Sequence, residues 1–80
     1  MNLNDQRTTV LAVHHVRDAL RDIEEALDYL RGRVENPAAL ASLHELLIYR
    51  ALDEVEKMAT AEQARLHAAE LAALSEREAA

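Results

Sequence analysis

The sequence predicts an all-α protein folded as an antiparallel helical hairpin, and three observations support that prediction. Apolar residues follow a heptad pattern through residues 9–34, a corner containing the chain's one Gly and one Pro follows, and nothing interrupts the chain after it. One Gly and one Pro in 80 residues are too few for the frequent turns of an all-β domain. We treat residues 1–80 as a single helical domain and expect its ends, residues 1–6 and 77–80, to be frayed.

The first predicted helix spans about residues 8–32 and carries apolar side chains spaced alternately four and three residues apart. This heptad repeat is typical of helices that pack side by side, with positions a and d facing the neighbour. Alanine at position g widens the apolar surface and permits close approach. The a positions are Val13, Leu20, Leu27 and Val34, the d positions are Thr9, Val16, Ile23 and Leu30, and the alanines at g are Ala12, Ala19 and Ala26.

The corner between the helices is marked on both sides. Arg31-Gly32-Arg33 ends the first helix, with cations near its negative pole and a glycine that tolerates left-handed dihedral angles. Asn36 and Pro37 then begin the second helix as its N-cap and its first helical residue. The predicted linker of four or five residues is short enough to require antiparallel helices.

The second predicted helix spans about residues 37–77, and its apolar stripe follows the eleven-residue rhythm of a nearly straight helix. Its extra length would leave the last dozen residues overhanging the first helix. An alternative is a break at Thr60, because Thr60-Ala61-Glu62-Gln63 matches a capping box. The stripe comprises Leu40, His44, Leu47, Ala51, Val55, Met58, Glu62, Leu66, Ala69 and Ala73, widened by Ile48, Leu52 and Ala59.

Two polar residues, His44 and Glu62, lie on this apolar stripe. Each could set the helix register through a buried hydrogen bond, since buried polar groups need partners. The alternatives are that His44 is half-exposed beside the corner and that Glu62 is solvated where the second helix emerges past the first.

A weaker apolar row on the second helix predicts further neighbours, because a two-helix hairpin buries only one seam. Two hairpins packed as a four-helix bundle bury more, so we expect a homodimer. We also expect an unidentified protein partner, with Tyr49 as the best single anchor. The row comprises Leu46, Tyr49, Ala64, His67, Leu71 and Leu74, of which Leu46, Tyr49, Leu71 and Leu74 are the candidate partner-binding residues.

Charge and composition exclude several functions. The formal charge is −6 and the nine basic residues are scattered, so we expect binding to neither nucleic acid nor membrane. The chain has no cysteine, glycine-rich phosphate loop or stretch long enough to span a bilayer. We therefore expect a protein that is not an enzyme, has no catalytic residues, cofactor or metal site, and is located in the cytoplasm.

Asp18, Asp22 and Glu25 form an acidic face on the first helix. They place three carboxylates along about 10 Å, where duplex DNA shows about six charges, so faithful DNA mimicry is not expected. An acidic inhibitor that docks on a basic, nucleic-acid-binding surface remains an alternative function. In size and charge the chain is similar to phage-encoded anti-defence inhibitors.

His14-His15-Val16-Arg17-Asp18-Ala19-Leu20 resembles the phosphoacceptor box of sensor histidine kinases, which reads His-x-apolar-Arg-x-x-Leu. That family also carries its box on the first helix of a dimeric helical hairpin. The resemblance implies an exposed, phosphorylatable His14 that a receiver domain recognises. His15 and Ala19 stand where the family usually has an acidic residue and a proline. A histidine phosphotransfer module is thus a further alternative.

Overall fold

The computed structural model describes residues 2–79 and shows an antiparallel hairpin of two long helices. The first helix, α1, is Leu3–Leu30. The second runs without interruption through α2 (Pro37–Glu45), a π-helical segment (Leu46–Leu52) and α3 (Asp53–Ala79). The molecule measures 66 × 15 × 15 Å, and the described residues contain no strand. The predicted all-α hairpin is confirmed.

The first helix begins earlier, and the second helix ends later, than the sequence predicts. α1 begins at Leu3 rather than near residue 8, because the Asn2 side-chain oxygen accepts a 2.8 Å hydrogen bond from the Asp5 N–H and caps the helix. Residues 3–6 and 77–79, expected to fray, are helical. Met1 and Ala80 lie outside the described residues.

The corner occupies residues 31–36 and has the predicted chemistry, although it is slightly longer than expected. Gly32 adopts φ = 79°, a left-handed conformation that glycine reaches without the usual side-chain clash. The Asn36 side-chain oxygen accepts a 3.1 Å hydrogen bond from the Ala39 N–H, and Pro37 follows as the first helical residue. These groups end one helix and begin the next within a single turn of chain.

Among the described residues, the central seam between the helices buries six apolar side chains, none of them completely. On α1 these occupy heptad positions a and e, so the prediction is confirmed for position a, where Val13 and Leu27 are buried, and is wrong for position d. Val16 and Ile23, at d, are 51% and 46% exposed. A single neighbouring helix covers only a narrow sector of α1, and the apolar surface of α1 is wider than that sector. The seam residues are Val10, Val13, Leu27, Val55, Ala59 and Leu66.

Three other predicted seam residues are also exposed. Leu30, expected at position d, is 37% exposed. Val34, expected at position a, lies in the corner after α1 has ended and is 37% exposed. On the second helix, Met58 is 53% exposed and Ala59 takes its place in the seam. The remaining residues of the second-helix stripe are buried or half-buried, as predicted.

The π-helical segment explains why the second helix deviates from a regular eleven-residue rhythm. Up to residue 51, the half-buried positions 40, 44, 47 and 51 follow a heptad; from residue 55 onward, the buried or half-buried positions 55, 59, 62, 66, 69 and 73 follow another heptad shifted by one residue. A π-turn accommodates one extra residue, so it absorbs this phase shift and keeps the second helix facing α1.

The helix continues through Thr60, so the alternative of a break there is wrong. The Thr60 hydroxyl donates a 3.1 Å hydrogen bond to the Glu56 carbonyl, as helical threonines do, instead of capping a new helix. The predicted overhang is also shorter than a dozen residues, because α1 starts early. Leu3 and Arg7 line one depression together with Leu74 and Arg77.

Candidate protein-interaction surfaces

The two broad sides of the hairpin differ in chemistry. On one side, Arg21 forms a 2.9 Å ion pair with Glu56, and Asp28 lies 3.2 Å from the His44 ring nitrogen. Both α1 residues occupy heptad position b. Positions d and g lie on the other side of α1, where α1 carries no charged residue from Thr9 to Leu30. On the second helix the same side carries Arg65, which forms a 3.1 Å ion pair with Glu62.

We call this opposite surface the α1 stripe. It consists of seven positions spaced alternately three and four residues apart, and none of them is charged. Thr9 is half-buried and the other six are exposed. Met58 of α3 lies on the same side of the hairpin, because it is on the edge of the second helix away from Glu56. The stripe comprises Thr9, Ala12, Val16, Ala19, Ile23, Ala26 and Leu30.

The predicted partner-binding row is exposed, but the structure separates it into two patches. Leu46 and Tyr49 lie in the π-helical segment near the corner, and Tyr49 is 72% exposed. Leu71 and Leu74 lie about 35 Å away along the helix, near the start of α1. One small partner element therefore cannot contact all four residues at once.

We call Leu46 and Tyr49 the corner patch; it borders a depression of about 370 Å³. Leu27, Leu40 and Tyr49 contribute apolar surface to it, and His44 contributes an imidazole. His44 is half-buried, as expected from its place beside the corner. Its Nε2 atom is at ion-pair distance from Asp28 but is not aligned for a hydrogen bond. A depression of this size can accommodate one apolar side chain of a partner.

Glu62 belongs to a half-buried polar cluster beside the central seam, so of the two alternatives the structure shows a hydrogen-bonded Glu62 and not one that is simply solvated. The Gln6 side-chain nitrogen donates a 2.9 Å hydrogen bond to the Glu62 carboxylate and a 3.3 Å hydrogen bond to its carbonyl. Arg65 approaches the same carboxylate at 3.1 Å. Gln6 is only 4% exposed. A shift of one helix along the other would separate Gln6 from Glu62, and the buried Gln6 amide would lose its partner.

Gln6 and Arg65 are the members of this cluster that the sequence interpretation missed. Gln6 stands seven residues before Val13, so extending the heptad toward the N-terminus places it at position a. Polar residues at a positions that face one another would have indicated the contact.

The acidic face of α1 is available to a partner. Asp18, Asp22 and Glu25 are all exposed. Asp18 lies 3.6 Å from its neighbour Arg17, whereas Asp22 and Glu25 form no ion pair with any described residue.

The histidines of α1 occupy different environments. His15 is exposed, whereas His14 is half-buried and lines a depression with Arg17, Glu56 and Gln63. Within residues 2–79, no three His, Asp or Glu side chains converge as metal ligands would. None of the described helices has the length and apolar character needed to cross a bilayer.

Comparison with known proteins adds no functional assignment: the chain matches no protein-family model, no curated protein and no solved structure.

Proposed function

We propose that this protein is a non-catalytic interaction module that acts as a self-associating helical hairpin in the cytoplasm. The α1 stripe is the observation that carries the proposal. It leaves Val16, Ile23 and Leu30 exposed beside a seam that buries only six apolar side chains. Contiguous apolar surface of this kind marks association sites on soluble proteins, and a second hairpin of the same chain has a matching surface.

The corner patch is the proposed contact for a different protein, which makes the module an adaptor or regulator. Tyr49 is its anchor, because its ring is apolar, its hydroxyl tolerates water and it is the more exposed of the two tyrosines. The neighbouring depression offers a place for an apolar side chain of that protein.

Self-association is tested by comparing Ile23→Gln with Leu11→Gln. Both residues are exposed apolar side chains of α1, but Leu11 lies away from the α1 stripe. Ile23→Gln should raise the dimer dissociation constant at least tenfold, because it removes apolar burial from both copies. It should also reduce the dependence of Tm on protein concentration, whereas Leu11→Gln should change neither. Equal effects of the two substitutions would count against the proposal.

Partner binding is tested with Tyr49→Ala and its matched control Tyr29→Ala. A partner is first isolated by co-purification from the native cell and identified by mass spectrometry. Tyr49→Ala should weaken its binding at least tenfold without lowering Tm, because the side chain contributes little to the seam. Unchanged binding by Tyr49→Ala would place the partner contact elsewhere.

A second candidate function is an acidic inhibitor that docks on a basic protein surface. The unpaired carboxylates of Asp22 and Glu25 favour it, since they are available to basic groups of another molecule. Such binding weakens as salt screens the charges, whereas an apolar contact is largely insensitive to salt. Partner affinity measured between about 50 and 500 mM salt, together with Asp22→Asn, distinguishes the two functions.

A further inference from the structure

We propose that the open end of the hairpin, where α1 begins and α3 ends, is a further binding site that takes the C-terminal residue of a partner polypeptide. The carboxylate of that residue lies between Arg7 and Arg77, and its apolar side chain lies against Leu3 and Leu74. The site uses none of the residues of the α1 stripe or the corner patch, so it does not depend on the function proposed above.

The unpaired cations of the chain converge at this end. Six of the nine basic residues form an ion pair or stack on a tyrosine ring. Arg7, Arg50 and Arg77 do neither within the described residues, and all three are exposed. Arg7 and Arg77 line the same depression, one from each helix. Guanidinium groups bind carboxylates through paired, charge-assisted hydrogen bonds, so this pair suits an anion.

The local charge at this end is positive, although the whole chain carries −6. Glu70 is the acidic residue that lines the depression, and neither guanidinium lies within ion-pair distance of its carboxylate. Two guanidinium groups and one carboxylate leave one positive charge. Asp5 occupies heptad position g, on the other side of α1 from Arg7 at position b. An anionic group is therefore attracted to this end and repelled by the acidic surface elsewhere.

The remaining walls of the depression are apolar and identify the kind of anion. Leu3 and Ala73 are half-buried, and Leu74 is 52% exposed. The depression holds about 150 Å³, and an apolar cavity of about that volume accepts one benzene-sized group. In a C-terminal residue the carboxylate and the side chain leave the same carbon atom, so both fit this space. A phosphate group would contact the arginines but leave both leucines uncovered.

N-acetyl-leucine is the probe for this site, because it carries the carboxylate, the side chain and the preceding amide of a C-terminal leucine. Added to the wild-type protein at about 20 mM salt, it should shift the NMR signals of residues 3–7 and 70–77. We expect a dissociation constant of about 1–10 mM, the range for a ligand of about a dozen non-hydrogen atoms. N-acetyl-leucinamide, which lacks the carboxylate, should bind at least about fivefold more weakly. Equal binding of the two compounds would overturn the proposal.

Substitution of the arginines tests where the carboxylate lies. Arg7→Gln and Arg77→Gln should each weaken the binding of N-acetyl-leucine about fivefold. Arg50→Gln is the matched control, because it removes the same charge from an exposed, unpaired arginine about 40 Å from Arg77 along the second helix. It should leave binding unchanged. Glu70→Gln should tighten binding about twofold, since it removes a nearby like charge. Equal weakening by Arg7→Gln and Arg50→Gln would indicate a general effect of net charge and overturn the site.

Acetate and inorganic phosphate distinguish a C-terminal residue from a bare anion. Both should bind at least about fivefold more weakly than N-acetyl-leucine, because neither covers the leucines. Leu74→Gln should weaken N-acetyl-leucine about threefold and leave acetate unchanged. Phosphate that binds as tightly as N-acetyl-leucine, with no effect of Leu74→Gln, would overturn the assignment to a C-terminal residue. These titrations need neither a second copy nor a contact at Tyr49, so their outcome is separate from that of the function proposed above.

Discussion

Removing Gln6 should destabilise the protein strongly, although glutamine on a helix is usually dispensable. Its side chain is 4% exposed and bonds Glu62 across the central seam at 2.9 Å. Gln6→Ala leaves the Glu62 carboxylate with Arg65, 3.1 Å away, as its remaining partner. The Glu62 side chain is only 19% exposed. The carboxylate then lacks a hydrogen bond that bulk water cannot readily replace.

The structure sets the size of this effect. A hydrogen bond to a charged group contributes about 1.5–3 kcal/mol, and the space left by the buried side chain adds to the loss. We expect Gln6→Ala to lower the free energy of unfolding by about 2–3 kcal/mol. For a domain of this size that corresponds to a Tm lower by about 8–24 °C. Replacing both partners, in Gln6→Leu/Glu62→Leu, should be close to neutral, because neither polar group then remains without its partner.

Urea unfolding followed by circular dichroism measures these differences, with every variant at one protein concentration. Gln63→Ala is the matched control, because Gln63 is an exposed glutamine in α3. It should change the free energy of unfolding by less than about 0.5 kcal/mol. Equal losses for Gln6→Ala and Gln63→Ala, or an additive loss in the double leucine variant, would refute a buried polar cluster that links the two helices.

Three further outcomes follow from the structure. Gly32→Ala should lower the free energy of unfolding by about 1–2 kcal/mol, as urea unfolding would show, because its φ of 79° strains any residue with a Cβ atom. The pKa of Lys57 should lie above 10.5, since the Asp53 carboxylate accepts its hydrogen bond at 3.0 Å; the stabilisation is present below that pH and lost as pH rises through the raised pKa. In an NMR titration, the pKa of Lys57 should be lower in Asp53→Asn than in the wild type. Finally, we expect a phosphorylated receiver domain to leave no acid-labile phosphate on His14. Phosphate found on His14 by mass spectrometry would instead support the phosphotransfer alternative.

The second helix shows how much of the fold follows from sequence pattern. Its capping residues, Asn36 and Pro37, act as predicted, and most of its apolar stripe faces α1. Glu62 was recognisable as a candidate register residue because a carboxylate on an apolar stripe requires a partner. Local chemistry and residue spacing determine these features, so they can be predicted from one sequence.

The orientation of α1 could not be predicted in the same way. Its apolar surface covers positions a, d and g, and spacing alone does not say which sector one neighbouring helix will cover. The choice depends on contacts with the other helix, among them the packing of Val13 on Val55 and the hydrogen bond between Gln6 and Glu62. The π-helical segment has the same origin, since it reconciles the phases of two heptads that meet α1 at different levels.

The central claim is that this chain has more apolar helix surface than one hairpin can cover. Sedimentation equilibrium of the wild-type protein across the micromolar range tests it most directly. We expect a species of about 18 kDa, twice the 9.0 kDa of one chain, that dissociates on dilution. A single species of 9.0 kDa at every concentration, with α1 still folded, would contradict it.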